Sequence, residues 1–405
     1  MSARVDREGV TWSWTQHLRD GGTTPWRDWV LTAHRDDPVS PVPPGWTPPG
    51  AAQLELVRRL ATHDLHGASF TRLADLVLTR SGPGRGLAHQ PLAWPGDEDL
   101  CDRGDRRFGA PAVDPADVPG EELVRLAVGT LAELLLRVPA PVEPRPPRRP
   151  LLTRTPAFRL AGAPVTTSVV RRELGRSGLL EGGRRPRVVL LAEPLDVALA
   201  QVWSARVQRG APVRWRGFLD RWSGSPGLPP SADLPALARL WAQRVGPGQV
   251  HLVVAPPAAA AARTTAEVLG RQLRTRARTA PGGTRDLSPA AVDVVRRVNG
   301  VLTVRLDPSR RRAATRTLVA ALDGPGAAAT GLSVPDQHAG WVRDRAARLT
   351  EELAAGRYPV HGRLADLAPV LTGLPTRPPR DGVLAAAQAA CLDLARDHDL
   401  PAETR

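Results

Sequence analysis

The stretch AFRLAGAPVTTSVVRRELG, residues 157–175, together with RVVLLA at residues 187–192, decides the fold class that this sequence predicts. Residues 157–161 are a short strand candidate, and the run from Val169 to Leu174 begins a helix that Gly175 ends. Residues 162–168 are the expected connecting loop. Residues 187–192 are apolar and branched enough for a strand buried in a parallel sheet. We therefore predict a strand–loop–helix–strand unit over residues 157–192, with its two strands parallel.

A further unit of the same kind follows along the chain. A helical period is formed by Leu195, Leu199, Val202, Trp203 and Val207. The run QVHLVVA at residues 249–255 predicts a third buried strand, and a helix is expected from Arg263 to Arg274. Strands that alternate with helices indicate an α/β fold with a doubly wound parallel sheet.

The loop at residues 162–168 has the composition of an anion-binding site. A glycine and three hydroxyl side chains precede a helix, whose free backbone N–H groups and dipole favour a negative charge. The candidate binding residues are Gly162, Pro164, Thr166, Thr167, Ser168 and Arg171. The pattern has low specificity, because many α/β proteins have glycine-containing turns that bind nothing, and the Walker A sequence GxxxxGK[ST] is absent.

Four segments carry a resemblance to a known family: residues 161–174, 187–222, 233–257 and 333–367. The first, AGAPVTTSVVRREL, is similar to the loop Gly-x-Pro-Lys/Arg-x-Gly-Thr-Thr of sulfotransferases that use 3′-phosphoadenosine-5′-phosphosulfate (PAPS). The other three resemble, in order and spacing, an actinobacterial sulfotransferase-like family. The resemblance covers residues 157–372. It implies a parallel sheet of P-loop or sulfotransferase type and a PAPS site at the candidate loop.

The sequence departs from the family at the residues that hold PAPS. Val165 stands where the resemblance expects the loop Lys or Arg, and the loop glycine is missing. Glu193 stands where an Arg grips the 3′-phosphate, and Gln201 stands where a Ser shares that role. Only residues 176–186 separate the first helix from the second strand, which leaves no room for the family's catalytic base. We therefore expect PAPS binding to be weak or lost.

Three functions follow from these observations. We expect foremost a sulfotransferase-like protein with a degenerate PAPS site, acting as an anion-binding or interaction module for a nucleotide or a sulfated or phosphorylated ligand. The alternative is an active PAPS-dependent sulfotransferase for a glycan or small hydroxyl acceptor, with Arg159, Arg171 or Arg172 replacing the missing cation. The second alternative is an arginine-rich polyanion binder.

Composition limits the remaining classes. The net charge is +14 and the pI about 11.3, but all 55 basic residues are Arg, so the chain has no catalytic Lys. Such use of Arg is typical of a GC-rich genome, which makes nucleic-acid binding an unlikely explanation of the charge. Two widely separated cysteines fit neither a disulfide framework nor a zinc site, and we expect no metal. We also expect no membrane span, no secretory signal and a cytoplasmic location.

The charge distribution divides the chain into domains. Residues 1–136 hold 14 Arg against 19 acidic residues, whereas residues 137–187 hold 12 Arg against 3. We assign residues 137–156 to a Pro/Arg-rich linker, 157–372 to the sulfotransferase-like domain and 373–405 to a C-terminal helix and tail. In the N-terminal region, residues 1–50 predict an irregular arm with five tryptophans, packed mainly on the protein itself. Periodicity predicts three helices after it, starting near Gly50, Phe70 and Pro119. This half is a candidate surface for a protein partner.

Isolated polar residues are assigned structural roles. The acids of residues 96–109 alternate with arginines and indicate a solvated loop. We expect His251, inside a strand, to be a packed core histidine, and His338 to be a polar residue near the start of a helix.

Overall fold

The computed structural model describes residues 6–32, 41–79, 90–94, 111–138, 157–254, 258–273, 284–323, 331–371 and 373–397. The chain forms two compact units: Met1–Pro139 with Arg380–Arg405, and Ala140–Pro379. The predicted acidic loop at 96–109 and most of the predicted linker at 137–156 lie outside the described residues.

The helices and strands of the described residues are numbered in chain order. They are α1 Arg7–Arg19, α2 Trp26–Thr32, α3 Ala51–Ala61, α4 Ala68–Leu78, α5 Gly120–Arg137, β1 Phe158–Gly162, α6 Pro164–Arg176, β2 Arg187–Ala192, α7 Leu195–Gln208, α8 Trp215–Ser223, α9 Leu234–Val245, β3 Val250–Val254, α10 Ala258–Val268, α11 Pro289–Thr303, α12 Pro308–Ala321, α13 Asp336–Ala355, β4 Val360–His361 and α14 Arg380–Asp397.

The first unit is helical, and the three predicted helices are confirmed as α3, α4 and α5. The prediction of an irregular arm before them is wrong, because α1 and α2 occupy much of it. Asp6 caps α1 by accepting a hydrogen bond from the Gly9 N–H, and Val10, Trp14 and Leu18 form a buried stripe at a spacing of four residues. The Trp14 indole is fully buried and donates to the Thr24 carbonyl. This stripe stabilises a helix in spite of the surrounding Gly, Pro and Thr.

The C-terminal helix α14 belongs to the first unit, although the sequence separates it from residues 1–136 by more than 240 residues. It packs on α5 and α4 and buries Val383, Ala387 and Leu394. Cys391 is fully buried there, with its Sγ 3.8 Å from the Ala127 carbonyl oxygen. The core of the first unit therefore needs both ends of the chain.

The second unit contains a four-stranded parallel sheet in the order β1-β2-β3-β4. Phe158 pairs with Arg187, and Val188 pairs with Val250. The predicted strands and their parallel pairing are confirmed. The strand order follows the chain, so the described sheet lacks the reversal of strand order at which doubly wound sheets bind their ligands.

Helices cover both faces of this sheet. Leu160, Val189 and Val253 face α6 and α10, whereas Val188, Leu190 and Leu252 face α9 and α13. Burial on both faces explains why β2 and β3 are almost entirely apolar. The chain is thus a mixed α/β protein with a parallel sheet and many helices.

Two predicted boundaries are wrong. The loop expected at 162–168 is reduced to Ala163, because α6 begins at Pro164, and proline at the first helical position already has the helical φ. The helix expected at 263–274 is α10, Ala258–Val268. It starts earlier because residues 258–262 are all alanine, the residue with the highest helix propensity.

Candidate functional site

The candidate site lies where β1 and β2 end, because the carboxyl ends of neighbouring parallel strands share one edge of the sheet. β1 ends at Gly162, whose φ is +129°. A Cβ at this position would lie 2.3 Å from the Leu191 carbonyl oxygen of β2. Glycine is therefore required both by the backbone conformation and by the close approach of the two strands.

The start of α6 carries the backbone donors that an anion would use. The Val165 and Thr166 N–H groups point to the side-chain oxygen of Gln201, at 3.1 and 3.0 Å. The third donor, the Thr167 N–H, already makes a helical hydrogen bond to the Ala163 carbonyl at 2.9 Å. Gln201 projects from α7, so a neighbouring helix caps α6 in place of a ligand.

Glu193, the first residue after β2, completes this arrangement. Its Oε1 accepts the Thr166 hydroxyl at 2.7 Å, and its Oε2 accepts the Gln201 Nε2 at 2.5 Å. Gln201 Nε2 also donates to the Thr166 Oγ1 at 3.0 Å. We call Thr166, Glu193 and Gln201 the cradle cluster. Its three side chains satisfy one another and both free N–H groups of α6.

The electrostatics of the cradle cluster disfavour an anion. Burial raises the pKa of the Glu193 carboxyl, and the nearby carboxylates of Asp286 and Asp196 raise it further. The hydrogen bonds from Thr166 and Gln201 act in the opposite direction and lower it. The position therefore holds an acidic group at some energetic cost, and a second negative charge would be repelled wherever Glu193 is ionised.

The other predicted binding residues are only partly assembled. Thr167 and Ser168 are buried in α6; the Ser168 Oγ accepts the Thr284 N–H at 3.1 Å, whereas the Thr167 hydroxyl has no partner among the described residues. Arg171 does not join them, because its Nε binds Glu181 Oε1 at 2.6 Å on the outer side of the helix. Arg172 has its pKa lowered by burial and then by Arg285.

PAPS does not fit this arrangement. Its 5′-phosphosulfate would need the Val165 and Thr166 N–H groups, which Gln201 occupies, and its 3′-phosphate would meet the Glu193 side chain. Val165 itself is buried and apolar. The geometry can stabilise the edge of the sheet, and within the cradle cluster it offers an incoming anion no unoccupied backbone N–H group and no cation.

Sequence reasoning identified Glu193 and Gln201 as departures from the family, but not as partners of each other. The signal that could have found this pair is the chemistry of the two residues, since the amide of Gln201 donates and the carboxylate of Glu193 accepts. Of the predicted binding residues, Gly162 ends β1, Pro164 begins α6 and Thr166 belongs to the cradle cluster.

Of the two histidines singled out in the sequence, His251 differs from its predicted surroundings, whereas His338 lies near the start of a helix as predicted. His251 is half-buried on β3, and its Nδ1 lies 3.0 Å from the Nε2 of His361 on β4. Burial lowers the pKa of His251, and Arg187 and His361 lower it further. His338 is buried near the start of α13, with its Nε2 3.0 Å from an Asp220 carboxylate oxygen.

The first unit contains a cavity of about 400 Å³. Its lining includes Glu8, Thr11, Gln90, Leu92 and Trp94. The Trp94 ring lies against Trp26 and beneath the Arg7 guanidinium, which is 5.1 Å from the ring centroid. The walls of the cavity combine apolar side chains and the Trp94 ring with the charged side chains of Arg7 and Glu8.

Comparison with known proteins finds no matching family model, no similar curated protein and no similar solved structure. Within the described ranges, no group of three or more His, Cys, Asp or Glu side chains is arranged to hold a metal ion. None of the helices described is both long and apolar enough to cross a membrane.

Proposed function

We propose that this protein is a sulfotransferase-like α/β protein that has lost PAPS binding and acts as a non-catalytic interaction module. The observation that carries the proposal is the capping of α6 by Gln201. In a functional cradle, the N–H groups of Val165 and Thr166 would be free for phosphate. Here both are bound by an amide oxygen of the same chain.

An anion that enters the cradle cluster meets two energetic costs. An anion that enters must displace Gln201, which leaves buried polar groups of the cradle cluster without partners at a cost of about 1–3 kcal/mol. It must also approach Glu193. At 4–5 Å and an effective dielectric constant near 20, one such like-charge contact costs about 3–4 kcal/mol. Together these effects lower affinity by several powers of ten.

Sulfuryl transfer would also need a base and a cation on the sulfuryl oxygens. Arg171, the nearest candidate cation in the sequence motif, is bound to Glu181 instead. The cavity of the first unit supports an interaction role, because it has room for a ligand that would be bound without being chemically changed.

The test is thermal unfolding of the full-length protein with 3′,5′-bisphosphoadenosine, the nucleotide product of PAPS-dependent transfer. A ligand present at 100 times its dissociation constant would raise the free energy of unfolding by about 2.7 kcal/mol. We expect no shift of the melting temperature at millimolar nucleotide. A clear shift, together with sulfate transfer from PAPS to an acceptor, would establish the active enzyme in place of the interaction module.

A further inference from the structure

Three arginines lie together where helices α7 and α8 end, away from the cradle cluster. Arg206 is in the last turn of α7, Arg209 caps the same helix and Arg221 is in the last turn of α8. Arg206 is half-buried, and the other two are exposed. Within the part of the chain that the structure describes, none of the three side chains makes a hydrogen bond or an ion pair.

The only acidic residue of α8 does not neutralise this cluster. Asp220 precedes Arg221 in sequence, but its Oδ1 lies 3.0 Å from His338 Nε2 and 3.4 Å from Gln337 Nε2. The undescribed residues of the second unit contain one acid, Glu143. The helix dipole at the end of α7 offsets part of the positive charge. Among the described residues, no carboxylate forms an ion pair with any of the three arginines.

Aromatic side chains hold Arg206 in place. Its guanidinium carbon lies 5.6 Å from the centroid of the Phe218 ring and 5.4 Å from that of the Trp222 ring. The Trp222 Nε1 is buried and has no acceptor among the described residues. The two rings fix the Arg206 guanidinium, which lowers the entropic cost of ordering it around a ligand.

The arginines also act on one another. Burial lowers the pKa of Arg206, and the positive charges of Arg221 and Arg209 lower it further. Like charges within reach of each other cost stability when nothing neutralises them. A bound anion would remove this cost and accept hydrogen bonds from the guanidinium groups.

We propose that Arg206, Arg209 and Arg221 form a binding site for a tetrahedral oxyanion, the phosphate or sulfate group of a larger partner. Planar guanidinium groups match the oxygens of such an anion in pairs. The site is independent of the cradle cluster and does not rest on the loss of PAPS binding. It gives the protein a means of binding phosphorylated or sulfated molecules without transferring the group.

The experiment is a titration of the full-length protein with inorganic phosphate and, separately, with sulfate, followed by thermal unfolding at constant ionic strength balanced with sodium chloride. We expect both anions to raise the melting temperature beyond the chloride reference. Arg221→Gln should weaken the apparent affinity about tenfold or more. Arg221 is exposed, so its replacement leaves the core intact. Arg206→Gln should have the same effect or a larger one.

The matched control is Arg343→Gln, which removes one exposed arginine of α13 and should change the affinity by less than about twofold. A preference for phosphate over sulfate would identify a phosphorylated partner, and the reverse a sulfated one. The proposal is overturned if neither anion acts more strongly than chloride, or if Arg343→Gln weakens binding as much as Arg221→Gln.

Discussion

The side-chain amide of Gln201 donates to the Glu193 carboxylate at 2.5 Å, across the edge of the sheet where a nucleotide phosphate would have to enter. Its oxygen meanwhile accepts the two N–H groups at the start of α6. The Gln201 side chain thus accepts the hydrogen bonds of the helix terminus and donates one to the Glu193 carboxylate, which repels an anion wherever it is ionised. The site is closed by hydrogen bonds rather than by bulk, which makes its closure testable with small substitutions.

Gln201→Ala should lower the free energy of unfolding by about 1–3 kcal/mol, because it leaves the Val165 and Thr166 N–H groups without an acceptor and Glu193 Oε2 without its donor. Urea unfolding of the variant measures the change. Gln243→Ala, at an exposed helical position of α9, is the control and should change stability by less than about 0.5 kcal/mol. Equal effects of the two substitutions would mean that Gln201 contributes no more to the free energy of unfolding than an exposed glutamine.

Glu193→Gln should remove a pH-dependent loss of stability. Burial holds the pKa of Glu193 above its usual value of 4.5, so the folded state binds a proton more tightly than the unfolded state. Stability from this group is therefore present below the unfolded pKa and is lost as pH rises through the folded pKa. The stability of the variant relative to wild type should increase over that window and then level off. Unfolding curves from pH 4 to pH 8 test this, and a difference that does not change with pH would contradict it.

Gly162→Ala should destabilise the second unit by more than about 2 kcal/mol, since a Cβ there meets the Leu191 carbonyl and the positive φ disfavours side chains. Gly217→Ala in α8 is the control, because its Cβ would have open space. The control should be neutral or stabilising by about 0.5–1 kcal/mol. Similar melting temperatures for the two variants would show that β1 and β2 do not approach as described.

Cys391 should be unreactive in the folded protein. Burial raises the pKa of its thiol to about 12, so almost no thiolate is present at pH 8. In a Cys101→Ser background, a thiol reagent such as dithionitrobenzoate should label no cysteine until urea unfolds the first unit, and then one. Rapid labelling of the native protein would mean that α14 does not cover the face of α5.

The sequence was sufficient to predict β1, β2 and β3, because buried parallel strands are continuous apolar runs that local composition identifies. It was also sufficient for α3, α4 and α5, whose apolar residues repeat at the helical period. The start of α6 was missed, since the cap of that helix is Gln201, 36 residues after Val165 in the chain. A cap supplied by another helix leaves no local signal, and Pro164 at the first helical position was the local indication of this start.

The residues of the candidate site could be predicted from the sequence, but the hydrogen bonds that join them could not. Composition indicated Gly162, Thr166 and Ser168 as binding candidates, of which Thr166 belongs to the cradle cluster, and the residues Glu193 and Gln201 predicted poor binding of a nucleotide. That these two side chains would bond to each other depends on the position of α7 over the sheet edge. Helix α1 was missed for a different reason. The Gly and Pro residues of the surrounding sequence obscured the spacing of four residues between Val10, Trp14 and Leu18.

The most direct test of the central claim is calorimetry of 3′,5′-bisphosphoadenosine with three proteins: wild type, Val165→Arg/Glu193→Arg, and the same double variant with Gln201→Ser. We expect no measurable heat with wild type. The double variant gains two cations, and the added serine frees the N–H groups of α6, so the triple variant should bind at least tens of times more tightly than wild type. Glu351→Arg, which makes the same charge change as Glu193→Arg at an exposed position of α13, should bind the nucleotide no better than wild type. Tight binding by wild type, with no gain in the triple variant, would contradict the closed site.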